Sequence, residues 1–215
     1  MQMQTINEDI KSGQYKKVYL LYGEESFLKQ SYKKKLKEAV AGDDTMNYNY
    51  FEGKGLDVNE LISLSDTMPF FSDKRLIIIE DSGFFKTSSE ALADYLPMIP
   101  DTTCIVFVED GVDKRNRLFK KVKELGHAAE MKRQDSAQLA RWAGTILAQN
   151  GRKITGSTMN LFLERTGDDM ENIRMELEKL ISYTMGSDVV TTEDVEAVTT
   201  VQVTNKIFDM VNAIV

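Results

Sequence analysis

The turn after the first apolar segment, residues 18–22, lies where a parallel α/β protein would carry a phosphate-binding loop. Such a loop needs glycines, so that backbone amides face the phosphates, and a lysine followed by serine or threonine. Here the turn offers only Gly23, and the carboxylates of Glu24 and Glu25 at the helix start would repel a triphosphate. Lys29 comes too late in the sequence to replace the missing lysine. The pattern therefore indicates a degenerate phosphate-loop position, an ordinary strand-to-helix turn.

Pairs of acids follow two other apolar segments: Glu80 and Asp81 after the second, and Glu109 and Asp110 after the third. In a P-loop-type nucleotide hydrolase, an acid at the end of such a strand holds magnesium. Acids commonly end strands in α/β proteins, so neither pair is specific without a phosphate loop. A divergent P-loop-type nucleotide hydrolase that uses Glu80 or Asp81 for magnesium is therefore kept as an alternative hypothesis.

The chain has one cysteine, Cys104, and one histidine, His127, too few for an intramolecular disulfide or a Cys/His zinc site. Cys104 lies in an apolar segment, which is typical of a small buried hydrophobic residue rather than a nucleophile. No nucleophile motif lies near His127 in the sequence. We therefore expect no catalytic residue, no metal site and no cofactor.

The composition is that of a globular protein of one large domain or two small ones, with 215 residues, 42% hydrophobic and 28% charged. The net charge of −7 argues against a protein that coats nucleic acid by its overall charge. The sequence contains no 18-residue apolar stretch, and its N-terminus lacks the pattern of a signal peptide. We therefore expect a cytoplasmic protein without a membrane segment.

A basic cluster lies in segment 113–125, which has the periodicity of a helix that turns Leu118, Val122 and Leu125 inward. The commoner reading of such a cluster is a solvated helix face. A DNA-binding module that contacts phosphates through this local patch is the other hypothesis. Its candidate contacts are Lys114, Arg115, Arg117 and Lys121.

Two tandem aromatic pairs, Phe70–Phe71 and Phe84–Phe85, could each be core residues or the anchor of a protein interface. Phe70–Phe71 follows Pro69, which fixes a bend between a helix and an apolar segment, so both rings could project together. A projecting apolar pair suits a pocket on another protein. Taken from the residues alone, burial is favoured for both pairs, because most phenylalanine side chains are buried.

The elements that must position these residues divide the sequence into three parts. Apolar segments alternate with helical patterns over residues 1–134, which predicts an α/β domain with a parallel sheet. Over residues 135–200 the strand signal is absent and the pattern predicts helices only. Residues 201–215 read as the start of a further helical domain, truncated at its apolar end.

Four segments in this order, 18–28, 68–79, 105–115 and 205–214, resemble the delta subunits of bacterial DNA polymerase III. These proteins are non-catalytic clamp-loader subunits within a DNA-directed DNA polymerase holoenzyme. The resemblance implies an AAA+-like α/β domain without a working phosphate loop, a small all-helical lid domain and the beginning of a helical collar domain. It covers essentially the whole chain.

The same resemblance implies a mechanical function in DNA replication. Delta subunits insert a hydrophobic wedge into a pocket of the ring-shaped sliding clamp, beta, and open the ring for loading onto primed DNA. The matching positions here are Met68, Phe70 and Phe71, although Phe70 departs from the leucine that often lies at the wedge tip. The implied partners are the clamp and the other loader subunits, gamma/tau and delta prime. Primed DNA is expected only within the assembled loader, and without its collar the chain is expected to be monomeric.

Overall fold

The protein is described by a computed structural model that covers residues 2–87 and 89–200. It divides into two compact units, the first ending at Arg133 and the second beginning at Gln134. The helical collar domain expected to begin over residues 201–215 lies outside the described residues.

The first unit is built on a five-stranded parallel sheet whose strands lie in the order β2-β3-β4-β1-β5. The strands are β1 (Val18–Tyr22), β2 (Tyr48–Glu52), β3 (Arg75–Glu80), β4 (Thr103–Glu109) and β5 (His127–Glu130). The helices are α1 (Gln2–Ser12), α2 (Ser26–Val40), α3 (Val58–Ser65), α4 (Glu90–Tyr95) and α5 (Arg117–Leu125), and a 3-10 turn follows α4. The predicted α/β class with a parallel sheet is confirmed.

The three middle strands, β1, β3 and β4, are buried on both faces of the sheet. Their sequences are therefore continuously apolar rather than alternating. Leu20, Ile77 and Phe107 are fully buried in the core that these strands share with α3, α4 and α5. Cys104 is buried in β4, and burial raises the pKa of its thiol to about 12. Its thiol therefore stays protonated at neutral pH.

Helix α5 begins later than the sequence pattern indicates. Asp113, which looked like its start, instead accepts a hydrogen bond from the backbone N of Arg115 in a turn. The N-cap is Asn116, whose side chain accepts from the backbone N of Leu118. Lys114 and Arg115 therefore precede the helix rather than lie on its face. The helix ends at Gly126, where a Cβ atom would lie 1.8 Å from the Val18 carbonyl oxygen.

Over residues 134–200, the second unit consists of helices and one very short pair of strands. The helices are α6 (Ser136–Gln149), α7 (Gly156–Thr166), α8 (Met170–Tyr183) and α9 (Thr192–Val198). Their inward faces carry Leu139, Phe162 and Leu177, all buried. Strands β6 (Lys153–Ile154) and β7 (Val189–Val190) pair in parallel, which the sequence pattern did not predict, because two residues show no alternation.

Within residues 2–87 and 89–200, none of the helices is both long and apolar enough to cross a membrane. No group of three or more His, Cys, Asp or Glu side chains within this described part of the chain could hold a metal ion.

Candidate functional site

The turn between α3 and β3 exposes three large apolar side chains. Met68 is 77% exposed, Phe70 55% and Phe71 94%. The two phenylalanine rings touch edge to face, with centroids 4.4 Å apart. Because phenylalanine is usually buried, a cluster of this kind indicates a surface that another molecule covers. We call Met68, Phe70 and Phe71 the apolar turn.

The backbone of the apolar turn is held in an unusual conformation. Phe71 has a φ angle of 50°, in the left-handed region that residues with a Cβ seldom adopt, at a cost on the order of 1 kcal/mol. Arg75, itself buried, donates from Nε to the Thr67 carbonyl (3.2 Å) and from Nη2 to the Met68 carbonyl (3.4 Å). A buried asparagine, Asn47, holds the backbone of Phe70. The turn is therefore fastened to the sheet below it.

Neither Asn47 nor Arg75 was identified as a functional candidate from the sequence. Asn47 lies 23 residues before Phe70, so no local pattern links the two. The one signal available was a charged residue, Arg75, directly before a fully apolar segment. Such a residue needs polar partners if the strand carries it into the interior.

The second aromatic pair belongs to the core. Phe85 is fully buried and packs edge to face on Phe107, with ring centroids 5.1 Å apart. Phe84 is partly buried against the same core. The two identical dipeptides therefore lie in different environments. Phe70 and Phe71 are exposed, whereas Phe85 lies in the core and Phe84 packs against it.

The degenerate phosphate-loop position lies at the opposite end of the sheet, after β1. Gly23 has a φ angle of 126°, and a Cβ there would lie 2.4 Å from the Met131 carbonyl oxygen. Three amides after β1 are used internally: Gly23 N donates to Glu109 O (3.2 Å), Glu25 N to Met131 O (3.0 Å) and Phe27 N to the Glu25 carboxylate (3.3 Å). Glu24 is exposed. These amides are not directed at a common point, as a phosphate cradle requires.

Charged groups near this position also have partners within the protein. Lys29 is buried and forms an ion pair with Asp110. Glu109 is buried, accepts hydrogen bonds from Oγ and N of Ser82, and has its pKa raised by burial. Glu80 accepts hydrogen bonds from Lys33 Nζ at 2.7 Å and from Gln30 Nε2 at 2.5 Å. Lys29, Glu80 and Glu109, which a nucleotide hydrolase would need free, are therefore each engaged by partners within the protein.

We expect the chain to show no saturable binding of Mg·ATP in a calorimetric titration to millimolar ligand. The physical reason is that phosphate would have to displace the internal partners of the amides and of Lys29. Glu80→Gln serves as the matched variant, because magnesium binding at Glu80 would be lost in it. Saturable heat in the wild type that disappears in Glu80→Gln would instead support the hydrolase hypothesis.

The basic cluster is largely neutralised by neighbouring carboxylates. Each of the four residues proposed as DNA contacts forms an ion pair with an acid of the same unit. The pairs are Lys114–Glu130 at 3.0 Å, Arg115–Asp113 at 2.9 Å, Lys121–Glu124 at 2.9 Å, and Arg117 with Glu90 at 2.7 Å and with Asp94. A phosphate group would have to compete with these acids, which lowers the positive charge that the cluster presents.

For the chain alone, we expect weak DNA binding with a shallow salt dependence, and a change of less than about twofold in Arg117→Ala. Fluorescence anisotropy with a labelled primed duplex at several salt concentrations measures both quantities. Lys153→Ala, at an exposed position of the second unit, is the matched control. A steep salt dependence that is reduced in Arg117→Ala and kept in Lys153→Ala would restore the DNA-binding hypothesis.

Comparison with known proteins gives one family and a related fold. The family model described as DNA polymerase III, delta subunit, matches residues 19–132. DNA polymerase III subunit delta of Bacillus subtilis is 21% identical over 97% of this chain and 64% of its own length. The probable DNA polymerase III subunit delta of Aquifex aeolicus is 23% identical over 85% of this chain and 54% of its own length. The chain thus spans less than two thirds of both relatives.

Solved structures share the fold. The DNA clamp loader delta protein of Bacillus subtilis superposes with a TM-score of 0.77 at 20% identity, over 97% of this chain and 66% of that one. The RuvB Holliday junction branch migration motor of Thermotoga maritima gives a TM-score of 0.51 at 13% identity, over 91% and 65%. These likenesses confirm the AAA+-like fold class predicted from the sequence.

Proposed function

Because the chain belongs to the DNA polymerase III delta subunit family, we propose that it binds a ring-shaped sliding clamp through the apolar turn and opens the ring. The observation that carries this proposal is the exposure of Met68, Phe70 and Phe71 together on one short turn. Opening would let the clamp be loaded onto primed DNA during replication. The same proposal includes association of the chain with the other loader subunits, gamma/tau and delta prime.

The chemistry of the apolar turn suits a concave apolar pocket. Phenylalanine anchors that become fully buried at an interface contribute about 2–4 kcal/mol each when they are the dominant contacts. Their contribution is largest when the free protein already holds the bound conformation, because no further ordering is needed. The hydrogen bonds from Arg75 and Asn47 to the backbone of the turn supply that preorganisation.

Ring opening follows from binding only if the turn binds the open ring more tightly than the closed one. A ligand shifts a conformational equilibrium by no more than its differential affinity for the two states. A wedge achieves this when its pocket lies beside a subunit interface and fits the side chains only after the interface has separated. No chemical step in this chain is needed, in keeping with the internally engaged phosphate-loop position.

A clamp labelled with a fluorophore pair across one subunit interface tests this proposal. Adding the chain is expected to lower energy transfer between the fluorophores in a saturable way, because the interface separates. Binding without any change in energy transfer would contradict ring opening, and an absence of binding would contradict the whole proposal.

A further inference from the structure

The buried side chain of Asn47 connects Phe70 of the apolar turn to the edge of the sheet. Asn47 directly precedes β2 and is 1% exposed. Its Oδ1 accepts from the backbone N of Phe70 at 2.7 Å, and its Nδ2 donates to the carbonyl oxygen of the same residue at 2.8 Å. Both backbone polar groups of Phe70 are thus held by one amide.

A second set of contacts fixes the orientation of that amide. Asp44 Oδ2 accepts from Asn47 Nδ2 at 2.7 Å, while Asp44 Oδ1 accepts from the backbone N of Asn47 at 3.1 Å and of Met46 at 2.8 Å. The hydrogen bond from the Asn47 side chain is the main reason that the pKa of Asp44 is lowered, so Asp44 remains an ionised acceptor. The reversed amide would place its NH₂ group against the Phe70 N–H and its oxygen against a carboxylate.

The backbone of Asn47 also belongs to the sheet. Its carbonyl accepts from the N–H of Leu76, at the start of β3. The apolar turn connects α3 to this same strand. Asn47 therefore holds this connection at two points, at Phe70 by its side chain and at Leu76 by its backbone carbonyl. Only a planar amide offers one acceptor and two donors in this arrangement, since a carboxylate lacks the donors and an alkyl group lacks both.

We infer that Asn47 is a positioning residue that holds Phe70 and Phe71 in the conformation in which they engage the partner. This inference rests on the proposed function, because it concerns the affinity of the apolar turn for the clamp. It goes beyond that proposal in assigning part of the affinity to a residue that the partner does not contact. Without the amide, Phe71 is free to leave its left-handed backbone conformation, with a φ angle of 50°.

The experiment is a double-mutant cycle between Asn47→Leu and the pair Phe70→Ala, Phe71→Ala, read out as affinity for the clamp. Leucine has a similar shape and makes no hydrogen bond. We expect Asn47→Leu to weaken clamp binding about 10-fold when the phenylalanines are present and to have no further effect when they are absent. Ser82→Ala is the matched control, because it removes a buried hydrogen bond, to Glu109, after β3 at the opposite end of the strand. It should leave the affinity unchanged.

A partner-free measurement distinguishes positioning from a loss of overall stability. The amide hydrogen of Phe70, bonded to Asn47 Oδ1, should exchange faster in Asn47→Leu, while amides in β4 keep their protection. Equal losses of affinity in both backgrounds, or unchanged exchange at Phe70, would overturn the inference. If the phenylalanine pair itself has no effect on binding, it is the proposed function that fails.

Discussion

Replacing Phe70 and Phe71 together with alanine is expected to weaken binding to a sliding clamp by at least about 100-fold, which is about 2.7 kcal/mol. Two anchors of the hot-spot type would account for more than this, but their effects are not additive. The affinity of wild type and variant for an immobilised clamp measures the change. Equal affinities would show that the apolar turn does not bind the clamp.

The stability of the same variant is expected to stay at the wild-type level. Phe71 is 94% exposed and Phe70 55%, so their truncation leaves no cavity. Thermal unfolding by circular dichroism checks this. The matched control is Tyr183→Ala, which removes another exposed aromatic ring, 61% exposed and in the second unit, and should leave clamp binding unchanged. Affinity that falls equally in Tyr183→Ala would indicate a general apolar effect.

Phe85→Ala is expected to lower stability without lowering clamp affinity. The free energy of unfolding should fall by about 3–5 kcal/mol. Phe85 is fully buried, and its edge-to-face contact with Phe107 would be replaced by a cavity. Urea unfolding, with comparison of the midpoints and slopes, measures the free energy of unfolding.

Clamp affinity of Phe85→Ala, measured where the variant is still folded, is expected to equal that of the wild type. The stability of Phe84→Ala should lie between that of the wild type and that of Phe85→Ala, because Phe84 is only partly buried. A loss below about 1 kcal/mol for Phe85→Ala would contradict the packing assigned to this pair.

Much of the fold was accessible from the sequence because its signals are local. A run of five apolar residues bounded by Lys17 and Gly23 predicts β1, and the strand occupies these positions, 18–22. The N-cap of α3 is an equally local feature, since Asp57 accepts from the N–H of Asn59 two residues later. Signals of this kind depend on short-range geometry, so they survive without tertiary information.

The candidate site was only partly accessible because its decisive contacts are distant in sequence. The dipeptide Phe-Phe occurs twice, and nothing within either copy shows that one is exposed and the other buried. Asn47 and Phe70, which are hydrogen-bonded, are 23 residues apart in the sequence, and Arg117 and Glu90 are 27 residues apart. The ion pairs of Lys114 and Arg117 with distant acids therefore could not be read from the spacing of the cluster's own residues.

The resemblance to delta subunits supplied what residue patterns could not, namely the interpretation of the first aromatic pair as a wedge. The structure adds that Phe70 and Phe71 are exposed, that the buried Asn47 holds the backbone of Phe70, and that the buried Arg75 bonds the Met68 carbonyl of the same turn. Their role in clamp binding stays a prediction.

Site-specific photocrosslinking identifies the part of the clamp that the apolar turn contacts. Phe71 is replaced by benzoylphenylalanine, the chain is mixed with the clamp and irradiated, and the crosslinked clamp residues are identified by mass spectrometry; the same substitution at Tyr183 serves as control. We expect crosslinks from position 71 to an apolar pocket of the clamp and none from position 183. A chain that binds the clamp without crosslinking from position 71, or that crosslinks equally from position 183, would show that the clamp is not bound through the apolar turn.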